Sequence, residues 1–467
     1  MEFNSLIFIT IFFPIVAVSY FFIKDNLKNF WLLILGFIFY AWGSFRSLCF
    51  ILILAVLNYV FGILVSEQKH KKVYLIIGIL INVISLGYCK YTNFFIDNIN
   101  AVLKSDIATL NILVPVGISF FVFKAISYLI DIYKCKVESE KNIVDFLLFM
   151  TFFSQILSGP IVRYVDMKDE LKSRVVNNKD IRYGLMRFVI GLSKKVFIAN
   201  NLGVLSDSIW GTSIHELTVA VAWVGSIAYT LQIYFDFSGY SDMAIGLARI
   251  FGFKFKENFD YPYISLSITE FWRRWHISLS SWFRDYIYIP LGGSRTGNVY
   301  FNIFVVFLVT GIWHGSAWNF VIWGLWNGFF NIIEKFLGNK GYKVGTGNVI
   351  QKTISYVYTM FVVDLGWVFF RAPSLRHACS YILSMFGLNS VNSVGYTVGW
   401  YLSKFNIALL ILAIIFCVPF IKNMYKRYVK ENIWTISAEN IVLLVLLGVC
   451  IMGVVSSSYN SFIYFQF

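Results

Sequence analysis

The chain has 467 residues, of which 58% are hydrophobic and only 14% are charged, and its mean hydropathy is +0.69. This composition excludes an ordinary soluble domain and indicates a polytopic membrane protein. The formal net charge of +14 comes from an excess of Lys and Arg, which cluster in short loops. In a membrane protein, such loops are explained by membrane topology and by binding to anionic lipid rather than by binding to nucleic acid. The same charge could attract a polyanionic substrate such as a coenzyme A ester. Six scattered cysteines lack metal-ligand or redox spacing, and no Walker loop, dinucleotide fingerprint or zinc spacing occurs in a suitable context. We therefore predict no metal site and no bound cofactor.

Apolar stretches recur along the whole chain, and we expect roughly 11–13 membrane elements, mostly helices. No internal repeat is visible, which argues against an inverted-repeat transporter. No segment is large enough for a separate soluble domain. The predicted spans are residues 5–23, 30–45, 47–66, 73–88, 112–133, 183–201, 219–237, 302–310, 316–336, 354–370, 407–421 and 441–456.

Basic loops set the predicted orientation in the cell membrane. Lys and Arg cluster in residues 67–72, 134–141, 163–182 and 422–430, and positive loops stay in the cytoplasm. Counting back from Lys69 through three spans places the N terminus outside. Because 134–141 and 163–182 then share one side, residues 142–160 must enter and leave by that side. We predict a re-entrant segment that ends in the turn sequence LSGP.

Two carboxylates, Asp236 and Asp242, lie at the end of the predicted span 219–237. Either could orient a histidine, or pair with Arg249, Arg273 or Arg274. We favour buried structural salt bridges slightly over an orienting role.

Residues 267–288 differ from the spans. Ser267 and Glu270 fit a capping box, and arginines lie off the apolar stripe that follows. We predict one amphipathic helix at the cytoplasmic interface or as a plug under the membrane core, with a stripe that serves packing. The stripe repeats at spacings of three and four through Ile268, Trp272, Trp275, Leu279, Trp282 and Tyr286.

His276 lies in the middle of this predicted helix, directly after Arg273, Arg274 and Trp275. We expect the basic neighbours to depress its pKa, and a possible opening toward the cytoplasm. An acid/base role and a structural role with a bond to a backbone carbonyl are equally compatible with this sequence.

His314 lies near the centre of residues 296–333, a run without Asp, Glu, Lys or Arg. As one helix this run would measure roughly 57 Å, nearly twice the roughly 30 Å hydrocarbon core, so we predict a break at residues 310–315, where two glycines bracket the histidine. An ionisable side chain at membrane depth is a functional site by default. A packing histidine bonded to a neighbouring helix is the alternative.

Several motifs closely resemble the bacterial alginate O-acetyltransferase branch of the membrane-bound O-acyltransferase family. They cover residues 115–328 densely and the rest of the chain loosely. They are PVGISF (115–120), SYLID (127–131), SGPIVR (158–163), GLSKK (191–195), DFSGYSDMAIG (236–246), EFWRRWHISLS (270–280), RDYIYIPLGG (284–293) and GIWHG (311–315).

The resemblance implies a single all-α membrane domain over residues 1–467, with N-terminal helices (1–105), a catalytic core (110–335) and C-terminal helices (350–467). It implies helices around a central tunnel, His314 as the essential histidine and His276 as the second recurrent one. It also implies a cytoplasmic acyl donor, here acetyl-CoA, and an extracytoplasmic, membrane-anchored acetyltransferase partner that modifies a polysaccharide. Relatives often carry a histidine where this chain has Asn327, which could still form a hydrogen bond.

The sequence therefore predicts a membrane-bound O-acetyltransferase for a cell-envelope or exported polysaccharide. His314 is either the general base or a transient acyl carrier. Trp313, Trp318, Asn319 or Asn327 could donate hydrogen bonds to the oxyanion. The alternatives are the D-alanyl transferase of teichoic-acid modification and a non-enzymatic transporter or channel.

Overall fold

The computed structural model describes residues 1–157, 159–391, 395–428, 432–456 and 462–463, and every regular element in these ranges is helical. This confirms the predicted all-α fold class. The α-helices, labelled α1 to α20 in order, are Phe13–Phe22, Lys28–Ala41, Phe45–Glu67, Lys71–Leu103, Ile118–Tyr133, Ile143–Thr151, Tyr164–Lys172, Asn178–Ser193, Asn200–Trp210, Val219–Ile250, Ile268–Arg274, Ile277–Phe283, Val299–His314, Trp318–Asn339, Val349–Arg371, Leu375–Met385, Val398–Tyr401, Lys404–Phe416, Phe420–Tyr428 and Ile433–Ser456. The π-helical segments are Phe8–Phe12, Lys194–Ala199 and Arg284–Tyr288, and the short 3-10 segments are Asp25–Leu27, Ile214–Glu216 and Pro262–Ile264.

Within the described ranges, five helical stretches are long and apolar enough to cross a membrane, so the chain is an integral membrane protein. The count of 11–13 membrane elements and the central tunnel stay predictions. The five stretches are Phe45–Glu67, Lys71–Leu103, Asn178–Trp210, Val349–Arg371 and Ile433–Ser456, and shorter apolar helices are Phe8–Phe22, Val299–His314 and Lys404–Phe416.

The chain forms two compact units, Met1–Ile190 with Tyr240–Glu257, and Gly191–Gly239 with Asn258–Phe467. The predicted division at residues 1–105, 110–335 and 350–467 is a different one and stays a prediction.

In the first unit, the ends of the predicted re-entrant segment 142–160 lie together. The buried carboxylate of Glu140 accepts hydrogen bonds from Tyr164 Oη at 2.6 Å and from Lys172 Nζ at 2.8 Å. Its described residues form the short helix α6 and then irregular, buried chain. It therefore returns to the place where it starts, as the prediction requires. Of its closing turn, Ser158 lies outside the described residues.

The predicted span 112–133 begins too early, because α5 starts only at Ile118. Pro115 cannot donate a main-chain hydrogen bond, and Gly117 adopts φ +80°, a left-handed conformation that suits glycine. A Cβ atom on Gly117 would also lie 2.1 Å from the carbonyl oxygen of Ile156. The apolar residues 112–117 thus belong to non-helical chain that ends in a turn directly before α5.

The predicted amphipathic helix 267–288 is wrong as a single helix, since the chain forms α11, α12 and a π-helical segment instead. Ser267 is the N-cap, as predicted, but Glu270 accepts from the N–H of Leu266, so the capping box is incomplete. The six stripe residues are nevertheless all buried, which confirms that the stripe serves packing.

Candidate active site

His314 is the last residue of α13 and is 4% exposed. Its imidazole lies edge-to-face against Trp323 of α14, at 4.8 Å between ring centres, and against Phe370 of α15, at 5.2 Å. Trp313, its chain neighbour, lies at 4.8 Å. Such edge-to-face geometry is the preferred arrangement of aromatic rings. Three rings therefore hold the imidazole in one orientation within the second unit.

The predicted break after His314 is present, and the glycines around it have a steric role. Gly315 is extended, at φ −161°, and a Cβ atom there would lie 2.1 Å from the ring of Phe320. Gly311 on α13 faces Gly324 on α14, and a Cβ on either would meet main-chain atoms within 2.5 Å. Small residues allow this close approach of two membrane helices. The result is a tight hairpin that fixes His314 at its turn.

His276 lies between α11 and α12 with φ +45° and ψ 54°, a left-handed conformation that a non-glycine residue rarely adopts. The side chain of His276 is 0% exposed. Solvent therefore does not reach the imidazole, whereas the sequence predicted an opening from it toward the cytoplasm. Its Nδ1 lies 3.2 Å from Asn258 Oδ1, a side-chain oxygen rather than the predicted backbone carbonyl. The Phe237 ring packs edge-to-face against it at 4.7 Å.

Burial lowers the pKa of His276 to about 3. The predicted cause, the basic neighbours, is wrong, because desolvation alone accounts for the shift. Arg273 is exposed, and Arg274 pairs with Glu270 at 2.9 Å and with Asp260 at 3.2 Å. His276 is therefore neutral at physiological pH.

Trp313 lies beside both histidines, because its ring centre is 6.5 Å from that of His276 and 4.8 Å from that of His314. The structure thus brings the two predicted histidines into one aromatic cluster of the second unit. Further rings join the cluster through Trp323, whose centre is 5.7 Å from Trp272 and 5.9 Å from Trp367.

Asp236 forms a buried ion pair, but with Lys195 rather than with any of the predicted arginines. Asp236 Oδ1 lies 2.5 Å from Lys195 Nζ, and the two side chains are 1% and 2% exposed. Asp236 Oδ2 accepts a hydrogen bond from the N–H of Ile463 at 2.9 Å. The neighbouring Phe237 contacts His276, so the ion pair anchors a helix turn that packs on the second histidine.

Asp242 belongs to the first unit and pairs there with Arg187 at 2.7 Å. Arg187 also binds Glu257 at 2.5 Å, while Arg249 pairs with Asp180 at 2.7 Å. The predicted partners of Asp242 are therefore wrong, although the predicted kind of contact, a salt bridge, is present.

Two predicted oxyanion donors have structural hydrogen bonds. Asn319 Nδ2 donates to the carbonyl oxygens of Phe369, at 3.2 Å, and Ala372, at 2.9 Å, which uses both of its hydrogens. Asn327 Oδ1 accepts from Trp272 Nε1 at 3.2 Å, so this asparagine does form a hydrogen bond, as predicted. Its Nδ2 donates to the Trp323 carbonyl at 2.8 Å. Asn319 therefore has no amide hydrogen left to donate to an oxyanion. Trp318, another predicted donor, is 54% exposed and so lies at the surface of the protein.

Sequence reasoning missed Lys195, Asn258 and Asp364. Asp364 lies on the spanning stretch Val349–Arg371 and accepts from Ser226 at 2.6 Å and Thr230 at 2.7 Å. The rule that charged residues inside apolar segments mark important sites would have found Lys195 and Asp364. Asn258 carries no local signal, because its partners are close only in the folded chain.

A helical integral membrane protein that keeps two histidines buried in an aromatic core has the general make-up of a membrane-embedded acid–base enzyme. The chain belongs to the membrane-bound O-acyltransferase family, whose sequence model matches residues 137–340. It is 38% identical to the "Probable alginate O-acetylase AlgI" of Pseudomonas putida, over 100% of both chains. It is 34% identical to a peptidoglycan O-acetyltransferase of Helicobacter pylori, over 100% of this chain and 97% of that protein.

A teichoic acid D-alanyltransferase of Bacillus subtilis is also similar, at 30% identity over 57% of this chain and 71% of that protein. The similarity to the two O-acetyl enzymes is higher in identity and extends over the whole chain. The predicted placement nearer the alginate branch than the D-alanyl branch is therefore confirmed.

Proposed function

We propose that this protein transfers acetyl groups, with His314 as the central catalytic residue, for O-acetylation of a cell-envelope or exported polysaccharide. The observation that carries the proposal is the His314 site: a buried imidazole held by three rings at the turn between α13 and α14. Two full-length relatives are named for O-acetylation of alginate and of peptidoglycan. Alginate and peptidoglycan both offer sugar hydroxyls as acyl acceptors.

The reaction assigned to His314 is general base catalysis of acyl transfer. The imidazole takes the proton of an acceptor hydroxyl while the hydroxyl oxygen attacks the carbonyl carbon of the thioester. A C–O bond forms and the C–S bond breaks, and the proton passes from His314 to the departing thiolate. A positioned base of this kind contributes about 10²–10⁴-fold to the rate.

The acyl donor in this proposal is acetyl-CoA, supplied from the cytoplasm. The support is chemical, because a thioester is the activated acyl group that such a base can use, and basic loops favour a polyanionic donor.

The proposal includes a second protein that receives the acetyl group outside the cell membrane. Between α-helices of the described part, the longest connection is residues 251–267, far below the roughly 50 residues of a small domain. A sugar-binding groove built from such loops is therefore not expected. A membrane-anchored transferase that carries the acetyl group onward to the polymer meets this need.

The test of the relay is expression of this chain alone in cells that make the polymer but lack the partner transferase. We expect ester-linked acetate on the polymer to stay at background, and to rise when the partner is restored. The His314→Gln variant expressed with the partner is the control for acetyl transfer that depends on this chain. Full acetylation by this chain alone would make it the complete transferase and refute the relay.

The proposed orientation places the N terminus outside and the basic loops in the cytoplasm. In a background whose native cysteines are replaced, we expect His70→Cys and Lys172→Cys to resist a membrane-impermeant thiol reagent in intact cells. Asp106→Cys, in the exposed connection after α4, should react. Reaction at positions 70 and 172 but not 106 would reverse the orientation and the side of donor entry.

A further inference from the structure

Asn258 lies at the junction of α11 and α12 and is 1% exposed. Its main-chain oxygen accepts the N–H of Ile277 at 2.9 Å, and its Oδ1 accepts the N–H of Ser278 at 3.1 Å. These are the first two N–H groups of α12, which no residue inside that helix can accept. One distant asparagine therefore caps the helix that begins directly after His276.

The cap also determines which atom of the Asn258 amide faces His276. A main-chain N–H can only donate, so the atom 3.1 Å from Ser278 N must be the amide oxygen and not the NH₂ group. The hydroxyl of Ser278 donates to the same oxygen at 2.8 Å. These contacts thus set the orientation of the amide, whose O and N atoms are told apart only by their hydrogen-bond partners.

The same oxygen lies 3.2 Å from Nδ1 of His276. Two lone pairs at that distance would repel, whereas a proton on Nδ1 makes the contact a hydrogen bond. The Ser278 hydroxyl, 3.5 Å from Nδ1, has its hydrogen directed to Asn258. In a neutral imidazole only one nitrogen carries the proton.

We propose that Asn258 is a positioning residue that holds neutral His276 in the tautomer with the proton on Nδ1, so that Nε2 carries the lone pair. In this form His276 acts through Nε2 as a hydrogen-bond acceptor and cannot donate from it. The role of that lone pair in acetyl transfer rests on the proposed function. The tautomer itself does not, because it follows from the contacts of Asn258.

The direct test is ¹⁵N NMR of histidine-labelled protein in detergent or lipid, with His276 assigned from the spectrum of His276→Gln. We expect a protonated Nδ1 and an unprotonated Nε2 in the wild type. Asn258→Leu removes the acceptor and should give the other tautomer or a mixture. Asn258→Asp keeps an acceptor oxygen and should retain the proton on Nδ1.

Kinetics provide a second readout. For Asn258→Leu we expect kcat to fall about 10- to 100-fold with little change in KM, the order of loss found when the hydrogen-bond partner that orients a metal-bound histidine is removed. Asn258→Asp should retain most activity, but its carboxylate favours the imidazolium, so the pKa of His276, followed by ¹⁵N NMR, should rise by about one to two units. A residue that only supports the fold would not shift this titration.

The matched control is Asn302→Leu, the same change at another buried asparagine, which donates to the Gly293 carbonyl at 2.8 Å. It should lower stability without changing the ¹⁵N spectrum or the titration of His276. An unprotonated Nδ1 in the wild type, or the same tautomer in Asn258→Leu, would overturn the proposal. Wild-type protein that transfers no acetyl group would instead refute the proposed function, and the NMR result would still decide the role of Asn258.

Discussion

His314→Gln is expected to lower acetyl transfer by about 10²–10⁴-fold, the contribution of a positioned general base. Glutamine fills a similar volume and stays polar, but its amide cannot take a proton at physiological pH. The loss of three edge-to-face ring contacts, at about 0.5–1.5 kcal/mol each, should lower the unfolding temperature only modestly. The measurement is transfer of labelled acetyl from acetyl-CoA, beside the unfolding temperature in detergent.

The control for His314→Gln is His215→Gln, the same change at an exposed histidine in the 3-10 segment Ile214–Glu216. We expect wild-type activity and stability for this control. Membrane insertion should be intact in both variants, because each change replaces one polar side chain by another and adds no charged residue to an apolar segment. Near-normal transfer by a folded His314→Gln protein would contradict the catalytic assignment.

Lys195→Met is expected to cost about 3–5 kcal/mol of folding free energy, because it leaves Asp236 as an uncompensated buried charge. The pair is almost fully buried, at 2% and 1% exposure, so solvent cannot replace the missing partner. Methionine matches the length of the lysine side chain and keeps the packing. The unfolding temperature, followed by loss of the monodisperse peak in size-exclusion chromatography, should fall clearly below that of the wild type.

The double variant Lys195→Met with Asp236→Asn should recover most of the lost stability. It removes both charges, and asparagine keeps an oxygen that can accept the N–H of Ile463. Lys256→Met is the matched control, because Lys256 pairs with Asp166 while 68% exposed, and such surface pairs contribute about 0–1 kcal/mol. A single variant as stable as this control would contradict the energetic role of the buried pair.

Local rules predicted the parts of the site that depend on neighbours in sequence. The run 296–333 was too long for one span, and the glycines at 311 and 315 indicated where it breaks. The structure places the break there because both glycines meet other atoms too closely for a side chain. The pattern of basic loops alone predicted that the two ends of residues 142–160 lie together, and they do; that the segment is re-entrant in the membrane stays a prediction.

The features that sequence reasoning did not find depend on contacts between distant residues. The stripe of residues 267–288 runs without interruption in the sequence, yet the helix breaks at His276. The cause is the segment that begins at Asn258. The main-chain and side-chain oxygens of Asn258 accept the first two N–H groups of α12, and the N–H of Asp260 donates to the carbonyl oxygen of Arg274 at 2.9 Å. The partners of Asp236 and Asp242, likewise, are set by which helices pack together.

Acetyl-CoA turnover by the purified protein tests the central claim most directly. Wild-type protein in detergent or lipid should release free coenzyme A from acetyl-CoA, slowly with water as acceptor and faster with a small polyol or the partner transferase. His314→Gln should reduce both rates to background, while His215→Gln should leave them unchanged. Equal release of coenzyme A by wild type and His314→Gln, or release by neither, would contradict an acetyltransferase centred on His314.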